Sequence, residues 1–139
     1  MKNDYKQITL EWLEKADSDL NFAKASLKKF DDFYSQICIL CHDAVEKYLK
    51  AYIISKGAKP KRIHDLVTLL KECIKLSKYP ERLKTCEEDC RILNFYYTPL
   101  KYPSHYPKVT KEQAKEAVER AIQVGEVIKK RSGYAEILT

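Results

Sequence analysis

The chain has 139 residues, of which 45% are hydrophobic and 33% charged, and its net charge is +6. That length suits one domain able to bury roughly 65–70% of the surface its unfolded chain exposes, which excludes a disordered chain and removes any need for a metal or disulfide staple. Three Gly and five Pro exclude a turn-rich β protein and favour long helices, and the positive charge permits a polyanionic partner without demanding one.

The polar start Met1-Lys-Asn-Asp-Tyr5 carries no apolar core of a secretory signal, and no apolar run is long enough to span a bilayer. A cytoplasmic protein is expected. Its five cysteines are an odd number and are expected as reduced thiols.

Helical periodicity starts near Ile8 and runs to Phe30, with Trp12, Leu13, Ala16, Leu20, Ala23 and Leu27 as the buried stripe and Thr9 as a candidate cap. Asp31-Asp32 breaks the pattern and is a candidate N-cap for a second helix over Phe33 to Lys56, which Gly57 ends. The second helix is apolar on more than one side, so it sits centrally or meets a partner subunit. A basic loop follows (Lys59, Lys61, Arg62). His64 or Asp65 then starts a shorter helix to Ser77, with Leu66, Leu69, Leu70, Cys73 and Ile74 inward. Tyr79-Pro80 breaks the chain, and a fourth helix is expected over Glu81 to Tyr97, its stripe made by Leu83, Cys86, Cys90, Leu93 and Tyr97. Pro99, Pro103 and Pro107 exclude a helix beyond Tyr97. Thr110-Lys-Glu-Gln113 is a capping box opening the last helix, which Lys129, Lys130 and Arg131 close and Gly133 ends. The expected fold is all-α: an up-and-down bundle of four long helices plus one short helix, in a single domain over residues 1–139 with 133–139 as a loose tail. Helix 2 and the linker after helix 4 carry more apolar surface than one small core needs, and are the expected dimer faces.

Four patterns invite a chemical reading. Cys38-Ile-Leu-Cys41-His42 matches the C-x-x-C-H form of haem attachment, but it lies on an apolar helical stripe where cysteine packs as a small hydrophobe. Cys86 and Cys90, four apart, with Cys38 and Cys41 also permit an all-cysteine zinc cage on paper, and they fit core stripes as well. Neither a metal nor a cofactor is expected. On helix 2, His42, Glu46 and Lys50 recur every four residues, and Asp43 is in register to pair with Lys47. This face is either solvated or part of a site. Beside it, His64 and Asp65 either organise a helix start or, with Lys59, Lys61 and Arg62, help that helix N-terminus hold a phosphate. Tyr96, Tyr97, Tyr102 and Tyr106 alternate with Lys101 and His105, a mixture that suits base stacking and phosphate contact, or a packed linker.

The order of three segments resembles the HEPN domain family: Trp12-Leu-x-x-Ala-x-x-Asp19-Leu20-x-x-Ala23, then Ala44-Val-Glu-Lys-Tyr-Leu-Lys-Ala51, then His64-Asp65-Leu66 after the loop. Lys101-Tyr102-Pro103 stands where relatives often have Arg-Tyr-Pro, and an Ala-rich last helix closes the match. The resemblance implies a helical bundle that often forms a homodimer. It also implies prokaryotic toxin–antitoxin pairs in which the bundle acts with a minimal nucleotidyltransferase. Family ribonucleases carry Arg, four to six residues, then His. Here Arg91 meets no His before His105, and Lys101 to His105 puts Lys in place of Arg, which lacks the bidentate fork. The expected function is therefore a non-catalytic module binding a nucleotide or partner through Glu46, Lys47, Lys59, Lys61, Arg62, His64, Asp65, Lys101 and Tyr102. The alternatives are a divergent metal-independent ribonuclease using Lys101 and His105 with Tyr102 assisting, and a purely structural interaction domain.

Overall fold

The computed structural model describes residues 2–97 and 108–133. Among them are six helical segments and no strand: α1 (Lys2–Lys29), α2 (Tyr34–Ser55), α3 (Leu66–Leu76), α4 (Glu81–Lys84), α5 (Glu87–Asn94) and α6 (Lys111–Arg131). The all-α bundle expected from the sequence is what forms. None of these helices is long and apolar enough to cross a membrane.

α2 is the central element. It packs against α1, α3, α5 and α6, and 13 of its 22 residues are buried. Its several apolar sides are thus absorbed within the bundle, in keeping with the central position that is one of the two readings of its sequence. Gly57 ends it in the left-handed region at φ 78°, where a side chain is disfavoured.

Three local expectations change. First, α1 begins two turns earlier than its apolar stripe. Thr9, the candidate cap, lies inside the helix with a buried hydroxyl that has no partner. Lys2 to Gln7 contain no Gly or Pro to stop a helix, and Asp4 to Gln7 are exposed, so no apolar period marks this stretch. Second, neither Asp31 nor Asp32 is the N-cap of α2. Phe33 holds that position at φ 66°, and the Asp32 carboxylate accepts its N–H at 2.7 Å. Third, the expected fourth helix is broken into α4 and α5. Thr85 and Cys86 donate their N–H groups three residues back, to Arg82 and Leu83, and the Thr85 hydroxyl donates to the same Arg82 carbonyl at 2.5 Å. This tightened turn interrupts the ladder but keeps Leu83, Cys86, Cys90 and Leu93 buried. The last position changes as well. Tyr96 enters the core, and Tyr97 is only partly buried.

Polar cross-links fix how the long helices sit. Lys47 does not pair with Asp43. It reaches Asp19 of α1 at 2.6 Å, because a part-buried contact between helices outweighs a surface pair worth a few tenths of a kcal/mol. Asp17 of α1 accepts the Tyr48 hydroxyl from α2 and pairs with Lys129 of α6 at 2.6 Å. Arg120 of α6 holds Asp89 of α5 at 2.9 Å. The Thr110–Gln113 capping box forms as its sequence indicates.

Gly125 lets α6 pass close to the Tyr48 ring. A Cβ there would lie 2.9 Å from two ring carbons. In an open helix, Gly→Ala gains about 1 kcal/mol. Here the buried ring reverses the sign, and Gly125→Ala should lose about 1–3 kcal/mol in urea denaturation. The same change in a Tyr48→Ala background should be neutral or stabilising.

Candidate functional site

The site is built on the polar stripe of α2. His42, Glu46 and Lys50 stand one turn apart and share a face. This face is covered rather than solvated: His42 is 0% exposed, and the Glu46 and Lys50 side chains are 13% and 9% exposed. The cover is the α2–α3 loop together with Tyr97.

The loop is clamped where it meets α3. The Asp65 carboxylate caps that helix by accepting the Thr68 N–H at 3.0 Å, and the Asn94 side chain of α5 accepts the Leu66 N–H at 3.0 Å. Two N–H groups of the first turn of α3 are therefore taken by side chains, which removes most of the anion site that a bare helix start would offer. Clamping brings His64 over α2. Its carbonyl accepts His42 Nε2–H at 2.9 Å, and its Nδ1–H donates to Glu46 Oε1 at 3.0 Å. Lys50 holds the other oxygen of Glu46 at 3.0 Å. Glu46 is thus gripped from both sides and positions its neighbours. Tyr97 stacks on His42 at 4.9 Å and on His64 at 4.7 Å between ring centroids, with planes inclined by 26° and 24°. The three rings form a short ladder that ends on His64, whose side chain is 52% exposed.

The residues expected from the sequence divide accordingly. Glu46 and His64 meet. Asp65 serves as a cap. Lys47 belongs to the α1 interface. Lys61 pairs with Glu72 of α3 at 2.9 Å, which together with Lys75 holds the Glu72 carboxyl below its ordinary value. Lys59 and Arg62 lie on the loop, and both are exposed. Lys101, Tyr102, His105 and Tyr106 lie outside the described residues, as do residues 134–139 of the expected tail. The binding set expected from the sequence omits His42, Lys50, Asn94 and Tyr97, although Tyr97 belongs to the aromatic tract after α5. The four-residue spacing of His42, Glu46 and Lys50 is the one signal pointing to the first two.

The cysteines take no part in this chemistry. All five are buried as free thiols, so the C-x-x-C-H spacing reflects core packing. Burial pushes Cys38 up to about 12 and Cys86 up to about 11, and it also raises Cys41, Cys73 and Cys90.

The same architecture recurs in known proteins. The family model described as HEPN domain matches residues 9–131. Among solved structures, TT1696 from Thermus thermophilus superimposes with a TM-score of 0.75 at 26% identity, covering 88% of this chain and 97% of that one. ST0689, described as an archaeal HEPN homologue, gives a TM-score of 0.68 at 24% identity, covering 89% and 97%. No curated protein matches.

The Glu46–Lys50 pair is nearly buried, so Glu46→Ala should lose about 3 kcal/mol in denaturant unfolding by leaving the ammonium unpaired. Replacing both residues by apolar ones of similar volume should recover most of that loss. For the thiols, a disulfide reagent at pH 8 should label none of the five in the native protein and all five in denaturant. The folded thiols keep their protons above the ordinary value of 9.0. Unfolded thiols ionise first, so stability is intact below about pH 9 and falls as pH rises towards the folded values.

Proposed function

We propose that this chain, which belongs to the HEPN domain family, is a binding module without catalysis of its own. In this reading it works as a homodimer beside a minimal nucleotidyltransferase in a toxin–antitoxin pair, and the partner supplies the transfer chemistry. The observation that carries the reading is the ring ladder His42–Tyr97–His64 beside the loop cations Lys59 and Arg62. A half-exposed imidazole backed by a phenol ring is a platform for a nucleobase, and each base stacked on such a platform gains about 1–3 kcal/mol. The neighbouring cations suit a phosphate. The grip of Lys50 and His64 on Glu46 fixes the platform before any ligand arrives, which lowers the ordering cost of binding.

Absence of catalysis is supported by the sequence, in which no Arg is followed by His after four to six residues. The partner and the homodimer rest on the family resemblance. Exposed Phe30 and Phe33, packed edge to face at the α1–α2 turn, offer one apolar surface for such contacts.

Titrating AMP or ATP into the purified chain should raise its Tm, and His64→Ala should weaken the apparent affinity about tenfold. The chain should also co-purify with a co-expressed neighbouring nucleotidyltransferase. Failure of both overturns the reading. RNA degradation that persists in EDTA and is lost in His105→Ala would establish the ribonuclease alternative. Unchanged affinities after joint neutralisation of Lys59, Lys61 and Arg62 would favour a structural domain.

A further inference from the structure

The exposed apolar side chains are concentrated on α1. Tyr5, Ile8 and Phe22 of that helix and Phe30 at its end are 43%, 40%, 65% and 41% exposed. With Trp12, Lys15, Asp19 and Ser26 they follow one another at steps of three and four residues and so line one face. The face runs beside α2. Its Asp19 holds Lys47 at 2.6 Å, and a Cβ on Gly57 would stand 3.6 Å from the Tyr5 ring. Scattered exposed apolar residues need no explanation, whereas a row about 40 Å long marks an interface.

That face carries both a knob and a hole. Phe22 is the most exposed of the large apolar residues described. A hollow of about 240 Å3 opens beside Trp12, lined also by Glu11, Lys15 and Lys47. A ring entering it meets the partly buried indole and the Lys15 ammonium, which suits aromatic packing and cation–π contact. Phe22 cannot fill the hollow of its own chain, because it stands about 15 Å further along the helix.

We propose that α1 is the contact face of a two-fold homodimer with antiparallel α1 helices, in which Phe22 of each copy enters the hollow beside Trp12 of the other. The proposal rests on the homodimer of the reading above and gives it a face and a register, and it does not involve nucleotide binding. Trp12 and Phe22 stand equally far on either side of Asp17, as do Lys15 and Asp19, and Ile8 and Ser26. Reversing the second copy about that point fills both hollows at once. It also sets Ile8 over the small Ser26, brings Tyr5 to Phe30, and carries Lys15 towards the carboxylate of Asp19 that Lys47 already holds through Oδ2. Parallel helices would instead set Phe22 on Phe22 and Lys15 on Lys15, leaving both hollows empty and like charges together. A knob and a hole on separate faces would propagate head to tail, whereas on one face they close into a pair.

The test uses the full chain in sedimentation velocity. A species of twice the chain mass is expected, and Phe22→Glu should weaken its association about tenfold or more. The helical circular dichroism should be unchanged, because this side chain lies mostly in solvent. Spin labels on two exposed positions, introduced singly as Gln7→Cys and Ser18→Cys, read the register by electron double resonance. The five native thiols are buried and stay unlabelled. Antiparallel helices separate the two Gln7 positions by about 30 Å and hold the two Ser18 positions within about 15 Å. A dimer that persists in Phe22→Glu, or equal label distances at the two positions, overturns the α1 face and leaves the homodimer standing. A chain that stays monomeric at every concentration reached overturns both.

Discussion

The structure depends on a central helix that must bury a polar face. α2 is enclosed by four neighbours, and a helix so placed cannot leave His42, Glu46 and Lys50 to water. Each needs a partner within the bundle or at its rim, since an unsatisfied polar group there costs a few kcal/mol. The partners come from the segment that follows. The α2–α3 loop supplies the backbone carbonyl and imidazole of His64, Lys50 closes the circuit from within α2, and Tyr97 covers the rings. The site is thus the means by which the central helix satisfies its own polar stripe, and a loop displaced from this path would take the His64 carbonyl from His42 Nε2.

That requirement reaches the other helices. Asn94 at the end of α5 holds the start of α3 through the Leu66 N–H, so α5 fixes the height at which His64 meets Glu46. The opposite side of α2 is set by the aspartates of α1, which receive Lys47 and Tyr48, and by Gly125 of α6, which leaves room for the Tyr48 ring. Rotating α2 by even a fraction of a turn to relax one side would strain the other. Both halves are ordinary packing and pairing, yet together they place an imidazole, a phenol and a carboxylate with little freedom.

The sequence made the apolar half of this plain and the polar half only partly so. Stripes of Leu, Ala and Cys at helical spacing mark α1, α2, α3 and α6, and the Thr110–Gln113 capping box is an explicit start signal. Hydrophobic period says nothing about where a helix runs on in solvent, so it does not mark the first turns of α1. It is also blind to a single tightened turn, so α4 and α5 read as one. Pairing suffers from the same locality. Asp43 and Lys47 are in register along one helix, but Lys47 bonds to Asp19, 28 residues away. The spacing of His42, Glu46 and Lys50 reveals a shared face and cannot reveal that His64 and Tyr97 cover it, because burial of a polar stripe is decided by chain segments distant in sequence.

The same covering bears on the binding role proposed above. A general base needs an acceptor open to substrate and able to take up charge. Glu46 has each oxygen already engaged, one by an ammonium and one by an imidazole N–H. Withdrawing Glu46 from these partners would leave the nearly buried ammonium of Lys50 unpaired. What remains available is the outward side of the ladder at His64 and the cations of the loop beyond it. Stacking and charge pairing there require no rearrangement of the interior.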